Sequence, residues 1–503
     1  MIAFFFNPLA RNTYHLLFIY ITHREVTRKT HSSVFYIIVI CILLSDSSAT
    51  NKKMGADAIQ TNGHDQAKLL TGGEKIQRLR CFVKNYEWGK LGPDSLVARL
   101  QEANSGGKVD AAVPHAEFWM GTHESGPSHV EFGSGQNEGS DNNKCMVTLK
   151  SWVLDNPDSL GSGVVGKWGC DLPFLFKVLS VTKALSIQAH PNKALAEKLH
   201  REEPLLYRDN NHKPEIALAV TPFQALCGFV SLKELKEVIT NVPEITELVG
   251  SKATGQIFKV NEHDEDVKVK LVVRLIFTQL MSASSSETKQ VVSRMKIRLI
   301  SETKHRELSD KEKLVLELEE QYKGDIGVIS AFFFNYVKLN PGEALYLDAN
   351  EPHAYISGDC VECMAASDNV VRAGLTPKHR DVQTLCSMLT YKLGYPEILK
   401  GFPLTPYVTR YLPPFDEFEV DHCDLPRGKS TVFPAVPGPS VYLVIEGEGK
   451  LQTGKLQTGS TQLLVSQGDV LFVPAHNEIH VTGESDLMKL YRAGVSSRFF
   501  QTL

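Results

Sequence analysis

Residues 341–353, PGEALYLDANEPH, decide the fold prediction. A Pro-Gly-acid turn leads into a short apolar strand, and a proline and a histidine follow that strand. Residues 467–480, QGDVLFVPAHNEIH, repeat the order of Gly-acid turn, apolar strand, proline and histidine. This turn–strand–turn pattern is typical of double-sheet β folds, and its two copies predict two β-barrel units in one chain.

The sequence upstream of the first copy continues the β pattern. Apolar runs broken by Gly, Pro and Asn predict strands in residues 78–89, 172–181 and 184–191. Residues 126–143 are rich in Gly, Ser and Asn, and we predict that they form a loop. β patterning returns at residues 332–346 and continues to the end of the chain.

A helical block interrupts the β pattern. Between Leu232 and Tyr322, apolar residues recur every three or four positions, which predicts about 90 residues of helix. Ser309, followed by Glu312, is predicted to cap the last of these helices and to begin an acidic first turn. Two roles stay open for the block, a structural insertion and a lid over a site.

Composition excludes several classes of protein. The 503 residues suggest two to four domains, and 54 basic against 58 acidic residues, without a long basic block, argue against a polyanion-binding protein. Nine irregularly spaced cysteines do not resemble a secreted disulfide scaffold and predict reduced thiols. Cys360 and Cys363 form an isolated C-x-x-C, for which strand packing is the leading interpretation and metal or redox roles stay open.

The N-terminal region differs from the rest of the chain. Residues 34–44 form an apolar run of 11 residues, which is shorter than the ~20 that a membrane-spanning helix needs. Residues 54–75 are polar and begin with Met-Gly-Ala-Asp. We predict that residues 1–75 lie outside the core. Residues 1–53 are then a spurious upstream start, a targeting segment or an anchor.

Three polar side chains share one face of the strand predicted at residues 184–191. Side chains alternate along a strand, so Ser186, Gln188 and His190 point to the face opposite Leu185, Ile187 and Ala189. Neighbouring side chains on one face lie about 7 Å apart, so Gln188 and His190 can share one metal. The alternative interpretation is an ordinary polar barrel surface.

Two further stretches offer metal ligands. In NHKPE, Lys213 and Glu215 share a face and His212 takes the other, so Glu215 either binds a cation or forms a surface ion pair with Lys213. His353 ends the first repeat and is predicted to point into the barrel mouth. Two imidazoles, a carboxylate and an amide oxygen suit Zn²⁺ with one coordination position open.

Two cations bracket a turn in residues 360–378. Arg372 and Lys378 flank a Gly-Leu-Thr-Pro sequence, while Glu362 precedes them in the predicted strand. Arginine offers a planar fork of donors and lysine a point charge, and both suit phosphate or developing negative charge. Taken singly, each could equally be a surface cation.

Together these motifs resemble the type I phosphomannose isomerases, which are zinc-dependent aldose–ketose isomerases of the cupin superfamily. The resemblance covers residues 76–503, and residues 1–53 find no counterpart in it. The matching segments are NYEWG (85–89), AEFWMGTH (116–123), LPFLFKVLSVTKALSIQAHPNK (172–193), NHKPE (211–215), TPFQALCGF (221–229), ANEPHAY (349–355) and GDCVECMAASDNVVRAGLTPK (358–378).

The resemblance implies a mainly β fold of two cupin-type jelly-roll barrels with an inserted α-helical domain. The expected domains are a non-core extension (1–75), a catalytic zinc cupin (76–230 and 325–410), a helical insertion (231–324) and a C-terminal cupin without metal (411–503). We expect a cytoplasmic monomer that binds a small sugar phosphate, and we expect neither nucleic acid nor a stable membrane partner.

The resemblance also implies an activity. It implies one Zn²⁺ per chain and interconversion of D-mannose 6-phosphate and D-fructose 6-phosphate through a cis-enediol, supplying mannose 6-phosphate for GDP-mannose synthesis. The implied residues are the zinc ligands Gln188, His190, Glu215 and His353, the catalytic Arg372 with Glu362 or Lys378 as proton carrier, and the substrate-binding Ser186, Lys213, Trp88 and His123.

Two rival functions share parts of this pattern. A non-enzymatic binding or storage protein could also contain tandem barrels, but it would not need the Gln-x-His, NHKPE and Arg/Lys motifs together. A cupin oxygenase would use redox iron with more histidine ligands. A second metal site at His476 and His480 is not expected, because no Gln-x-His precedes them.

Overall fold

A computed structural model describes residues 76–132, 145–453 and 462–501. The predictions for residues 1–75, and the later part of the loop predicted at residues 126–143, therefore lie outside the described residues. The strands are β1 (Gln77–Arg80), β2 (Phe82–Lys84), β3 (Lys90–Leu91), β4 (Pro114–His115), β5 (Glu117–Met120), β6 (His129–Phe132), β7 (Cys145–Thr148), β8 (Phe174–Val181), β9 (Ile187–Ala189), β10 (Glu215–Ala219), β11 (Phe223–Phe229), β12 (Phe334–Leu339), β13 (Ala344–Leu347), β14 (His353–Ala365), β15 (Val371–Gly374), β16 (Ile398–Leu399), β17 (Phe402–Thr405), β18 (Val408–Tyr411), β19 (Glu419–Pro426), β20 (Ser430–Phe433), β21 (Ser440–Glu446), β22 (Glu448–Thr453), β23 (Gln462–Ser466), β24 (Val470–Val473), β25 (Ile479–Gly483) and β26 (Leu487–Gly494).

Helices are as prominent as strands among the described residues, so the prediction of a mainly β fold was wrong in that respect. The chain is mixed α and β, because helices cover the outside of the sheets as well as forming the insertion. They are α1 (Leu96–Ser105), α2 (Leu149–Asp155), α3 (Ser162–Trp168), α4 (Lys193–Glu202), α5 (Leu232–Asn241), α6 (Pro243–Val249), α7 (Ser251–Thr254), α8 (Asp266–Met281), α9 (Ser285–Glu302), α10 (Asp310–Gln321), α11 (Ile326–Ser330), α12 (Val382–Met388) and α13 (Ser497–Gln501).

Three large sheets stack in layers. An eleven-stranded sheet, with β10, β14, β8 and β5 at its centre, encloses one apolar interior. Its outer face packs against a nine-stranded sheet that contains β19, β26, β21 and β24. A four-stranded sheet of β20, β25, β22 and β23 closes the second interior on the far side. All the strand pairs described within these sheets are antiparallel.

The N-terminal strand β1 pairs with a strand of the C-terminal region, across the domain boundary expected from the sequence. Strand β1 pairs with β24, with Gln77 opposite Phe472, and β6 and β7 extend the same sheet beyond β1. The N-terminal strands therefore complete the sheet of the C-terminal region. Strand β6 also lies within residues 126–143, so the prediction of an uninterrupted loop there was wrong.

The helical insertion has the N-cap predicted at Ser309. The Ser309 side chain accepts a hydrogen bond from the Glu312 backbone N–H, and the Glu312 carboxylate accepts one from the Ser309 backbone N–H, which forms a capping box at the start of α10. The buried faces of these helices pack together and against one face of β11, β14 and β15. In the described part of the chain, no helix combines the length and hydrophobicity needed to cross a membrane.

The two sequence repeats adopt the same backbone course. Gly342 and Gly468 take positive φ angles of 84° and 88°, the following strands β13 and β24 each contain four residues, and Asn350 and His476 both have a φ of 64°. Counted from these glycines, His353 corresponds to Ile479, which is buried in the apolar interior of the second unit.

His480 comes one position after Ile479, so its side chain takes the opposite face of β25. It is half-buried, and its Nε2 lies 2.9 Å from Glu478 Oε1. The second repeat therefore presents no imidazole at the position of His353, which explains why the histidines at the two places do not make equivalent sites.

A bulge in strand β14 lets side chains from its two halves face the same cavity. Its first half pairs with β11 and its second half with β8 and β10. The pairing with β11 slips by one residue between Tyr355 and Ser357, and Gly358 has a φ of 111°. This bulge shifts the alternation of side chains, so that His353 and Tyr355 before it and Glu362 after it face the same side.

Candidate active site

A cavity of about 460 Å³ opens at the mouth of the first barrel. Nine of the eleven site residues predicted from the sequence line it, while His190 and His353 lie buried, each 1% exposed, with the Glu215 carboxylate within 3.5 Å of both. The lining residues from that prediction are Trp88, His123, Ser186, Gln188, Lys213, Glu215, Glu362, Arg372 and Lys378.

Three of the predicted metal ligands converge at the cavity floor. Nε2 of His190 lies 3.5 Å from Glu215 Oε1, and Nε2 of His353 lies 3.4 Å from Glu215 Oε2. Potential ligand atoms of the three residues all lie within 4.8 Å of one another. Glu215 is 2% exposed, so the alternative of a surface ion pair with Lys213 was wrong, although Lys213 Nζ does lie 3.3 Å from its Oε1.

The hydrogen bonds of the two histidines fit a bound metal. Nδ1 of His190 lies 2.6 Å from the Asn369 carbonyl oxygen, and Nδ1 of His353 lies 3.1 Å from that of Glu351. A carbonyl only accepts, so each Nδ1 carries the proton and each Nε2 keeps a lone pair. Neither buried Nε2 has a hydrogen-bond partner, which is costly unless a metal uses both lone pairs.

The charges around these residues favour the protonation states that bind a metal. Burial lowers the pKa of His190 to about 4, which keeps its imidazole neutral. Burial alone would raise the pKa of Glu215, but Lys213 and His190 outweigh it and hold that pKa well below its usual value. Neutral imidazoles and an ionised carboxylate are the protonation states that bind a divalent cation.

Gln188 joins this group through strand pairing. It lies opposite His353 of β14 on one side and opposite Arg372 of β15 on the other. The short strand β9 thus places the amide between a metal-type ligand and a cation. The predicted alternation holds for Ile187 and Ala189, which are fully buried in the core. Leu185 differs and lines the cavity, because β9 begins only at Ile187.

A lysine within β8 was missed by the sequence analysis. Lys177 is 6% exposed, and its Nζ lies 2.9 Å from Glu362 Oε2 and 3.8 Å from Glu117 Oε2. Trp119 donates its indole N–H to Glu117. The available signal was a single charged residue within the apolar run LPFLFKVLSV, since a buried lysine in such a strand needs an acidic partner.

This lysine changes the electrostatics of Glu362. Burial opposes the charge on Lys177, but Glu362 and Glu117 together raise its pKa, so it stays protonated. Burial raises the pKa of Glu362 despite the nearby ammonium of Lys177. Glu362 is therefore a buried carboxyl group that is easier to protonate than an exposed one, which suits a group that gains and loses a proton.

The remaining predicted residues form the rim and walls. Arg372 is half-buried, and burial lowers its pKa, yet an arginine stays charged at neutral pH. Lys378 is exposed at the rim. Trp88 stacks on Tyr86 at 5.8 Å between ring centroids, and His123 lies edge-on to Trp119. The cavity is thus aromatic on one wall and cationic on another.

Cys360 and Cys363 both lie on β14 and are free and fully buried. Cys360 packs in the interior of the first barrel, and Cys363 packs in the layer between the sheets. The two thiols therefore face opposite sides of one strand. Strand packing accounts for the C-x-x-C sequence.

A buried His/Glu/His group beneath a cation-lined cavity defines a metal-type site for an anionic ligand. The family descriptions that match this chain are phosphomannose isomerase type I, in three parts: its catalytic domain over residues 76–232, its helical insertion domain over 248–334 and its C-terminal region over 411–455.

Curated proteins give the same result over most of the chain. Mannose-6-phosphate isomerase 2 of Arabidopsis thaliana is 88% identical over 450 residues, which cover 90% of this chain and 100% of that protein. Mannose-6-phosphate isomerase of Homo sapiens is 40% identical over 434 residues, which cover 83% of this chain and 98% of the human protein. The chain belongs to the type I phosphomannose isomerase family, and it is an isomerase.

Solved structures share the fold. A zinc-bound mannose 6-phosphate isomerase aligns with a TM-score of 0.67 and 28% identity over 84% of this chain and 99% of that one. A variant of phosphomannose isomerase from Salmonella typhimurium aligns with a TM-score of 0.68 and 27% identity, over 84% and 99%. These relatives favour neither the storage-protein nor the oxygenase interpretation.

Proposed function

We propose that the chain interconverts D-mannose 6-phosphate and D-fructose 6-phosphate with one Zn²⁺ held by Gln188, His190, Glu215 and His353. The single observation that carries this proposal is the pair of buried, unpartnered Nε2 atoms flanking Glu215 beneath a cation-lined cavity. The names of the relatives supply the substrate and the metal.

The reaction moves a proton between C1 and C2 of the open-chain sugar through a cis-enediol. A zinc ion held by these four residues would supply Lewis acidity at the reacting carbonyl. Arg372 stabilises the negative charge that develops on oxygen, a type of contribution that is worth about 3 kcal/mol per donor in other enzymes. Trp88 and Tyr86 stack on each other and offer an aromatic surface of the cavity to the sugar.

Glu362 is the better of the two proton carriers proposed from the sequence. It lies in the cavity wall, it is 3% exposed, and burial raises its pKa. Its partner Lys177 holds Oε2 of the carboxylate at 2.9 Å, which orients the group in the cavity wall for proton exchange. Lys378 is exposed at the rim, where its charge is better placed to attract the phosphate.

The polar wall next to Gln188 binds the phosphate. Ser186 offers a hydroxyl that can donate to a phosphate oxygen, and a nearby cation of the cavity lining offers the opposite charge. Lys213 lies on the same side of the cavity but also pairs with Glu215, while His123 pairs with Asp368 at 3.5 Å. Binding energy from the phosphate can then be used to align C1 and C2 over the catalytic groups.

The remaining expectations extend the proposal to the whole protein. We propose two cupin-type units, a catalytic one at residues 76–230 and 325–410 and one without metal at 411–503, separated by the insertion at 231–324. A cytoplasmic monomer that supplies mannose 6-phosphate for GDP-mannose synthesis stays a prediction.

A coupled assay tests the reaction. Protein beginning at Met54 is given mannose 6-phosphate, and formation of fructose 6-phosphate is followed with a phosphoglucose isomerase-linked readout. Mannose without phosphate and ribose 5-phosphate serve as comparison substrates. We expect turnover of mannose 6-phosphate with far lower kcat/KM for the other two sugars. Equal turnover of the unphosphorylated sugar would contradict the proposed phosphate site.

A further inference from the structure

The chain returns from the helical insertion to the first barrel through residues 321–327, which we call the junction segment. They run from the last residue of α10 to the first turn of α11. Tyr322, directly after α10, packs against the helical core and also lines the cavity. This segment of the insertion therefore belongs both to the packed helical structure and to the lining of the cavity.

One end of the junction segment holds the wall that carries Ser186. The Gln321 side-chain oxygen accepts the Ala184 backbone N–H at 2.9 Å, and the Tyr322 hydroxyl donates to the Ala184 carbonyl at 2.6 Å. Both polar groups of the Ala184 backbone are thus satisfied by the insertion. Lys183 Nζ lies 4.6 Å from the centroid of the Tyr322 ring.

The other end holds the loop that follows Arg372. Oδ1 of Asp325 accepts the backbone N–H groups of Gly327 and Leu375, each at 2.6 Å, and Oδ2 faces the N–H of Thr376 at 3.3 Å. One carboxylate therefore caps α11 and also binds two consecutive amides of the loop between Arg372 and Lys378. Hydrogen bonds to a charged acceptor are about twice as strong as neutral ones.

The backbone of this loop needs such a restraint. Leu375 has a φ of 53°, a left-handed conformation that is unfavourable for a non-glycine residue. A Cβ on Gly374 would lie 2.5 Å from Gly327 Cα, and a Cβ on Gly327 would lie 2.4 Å from Leu375 N. The two glycines let the loop and the junction segment pass at a distance that no other residue pair allows.

We propose that the junction segment positions both reactive walls of the cavity, with Asp325 as the positioning residue for Arg372 and Lys378 and Tyr322 as that for Ser186. The proposal rests on the proposed isomerase function. It gives the junction segment, and not the rest of the helical insertion, a positioning role, because this segment contacts both the wall that carries Ser186 and the loop that follows Arg372.

The Asp325→Ser variant separates the two contacts of the carboxylate. Serine can still cap α11, but its side chain is too short to reach the Leu375 and Thr376 amides as well. We expect kcat for mannose 6-phosphate to fall by about ten- to a hundredfold, since misplacement of a catalytic group by ~1 Å has effects of that size. Asp325→Asn keeps one acceptor oxygen and should recover part of that loss.

The Tyr322→Phe variant tests the other wall. It keeps the ring in the cavity and removes the hydroxyl that binds Ala184, so we expect a higher KM with a smaller change in kcat. Ser309→Ala is the matched control, because it removes a cap of α10 that contacts neither wall. It should lower the melting temperature without moving kcat or KM.

All variants are compared with the wild-type protein in the same assay, together with zinc content and thermal unfolding. A wild-type kcat in Asp325→Ser, or a loss of activity in Ser309→Ala equal to that in Asp325→Ser, would overturn the positioning role. Absence of turnover by the zinc-loaded wild-type protein would instead overturn the proposed function, so the two failures are distinguishable.

Discussion

In both histidines proposed as metal ligands, His190 and His353, a hydrogen bond at Nδ1 orients the ring. A backbone carbonyl holds each Nδ1 proton, which fixes the tautomer and directs Nε2 toward Glu215. Glu215 itself lies between these imidazoles and Lys213. Individual residues at this scale are therefore arranged for a cation before one arrives, and the effects of single substitutions can be predicted.

Replacing Glu215 should remove the metal. Glu215→Gln keeps the side-chain shape but loses the charge, so we expect bound zinc to fall well below one per chain and kcat/KM to fall by about a hundredfold or more. Glu417→Gln is a matched control, since Glu417 is also a buried carboxylate, accepts a hydrogen bond from His212 and lies outside the cavity. Full zinc content in Glu215→Gln would contradict the ligand assignment.

Replacing Arg372 should affect the transition state more than binding. For Arg372→Ala we expect kcat to fall by about 10²–10³, with a smaller rise in KM, because the guanidinium interacts with charge that develops during the reaction. Arg372→Lys keeps the charge but loses the planar fork of donors. Its kcat should lie between those of the wild-type protein and Arg372→Ala. Steady-state measurement of kcat and KM tests this prediction. A change in KM alone would assign Arg372 to substrate binding.

At the scale of elements, β14 determines which side chains meet. A regular strand would send His353 and Glu362 to opposite faces, because they are nine positions apart. The bulge near Gly358 brings both to the cavity. Strand β9 plays a similar part by pairing Gln188 with two strands at once.

The bulge predicts a cost for adding a methyl group. A Cβ on Gly358 would lie 2.5 Å from the Pro222 carbonyl oxygen at a φ of +111°. We expect Gly358→Ala to lower the free energy of unfolding by about 1–3 kcal/mol and to reduce zinc affinity, since the strand must shift. Gly428→Ala is the control, because Gly428 has a φ of +70° with open space around it. Equal losses of stability and unchanged zinc binding would argue against this role.

Local signals in the sequence predicted several single elements. Periodicity and the Ser309 capping box identified helices of the insertion, and short apolar runs identified β8 and β9. The bulge in β14 could not be predicted in this way, because strict alternation allows no slip. The pairing of β1 with β24 joins residues almost 400 positions apart, and no local pattern encodes such a partner.

In the candidate site, too, local motifs could be predicted from the sequence and contacts between distant residues could not. The polar residues at metal-ligand spacing were visible as motifs, and the structure brings His190, Glu215 and His353 together. Lys177 and Glu117 were not predicted, since each has meaning only beside Glu362 of another strand. The role of Asp325 is likewise invisible in the sequence, because its partners lie 50 positions away.

At the scale of the whole molecule, the metal-free protein should be sensitive to acid. The folded pKa of His190, about 4, is below the value of about 6.5 in an unfolded chain. The unfolded state therefore binds this proton first as pH falls, and stability is lost progressively from about pH 6.5 to about pH 4. Glu215, whose folded pKa is also lowered, adds a loss at still lower pH.

Urea unfolding of metal-free protein across this pH range measures the effect. The slope of unfolding free energy against pH should be steeper in the wild-type protein than in His190→Gln, which lacks the titrating group. Identical slopes in the two proteins would contradict the burial of a neutral imidazole at this position. The same comparison with excess zinc should show greater stability in the wild-type protein, because zinc binds only the folded site.

The most direct test of the central claim is a zinc titration of metal-free protein during turnover of mannose 6-phosphate. The protein is stripped with a chelator, its residual metal is measured, and Zn²⁺ is added in fractions of an equivalent while fructose 6-phosphate formation and bound zinc are followed together. We predict no turnover without metal and activity that rises in proportion to bound zinc until one equivalent per chain. Turnover that persists after verified removal of the metal, or that does not follow zinc occupancy, would contradict this prediction.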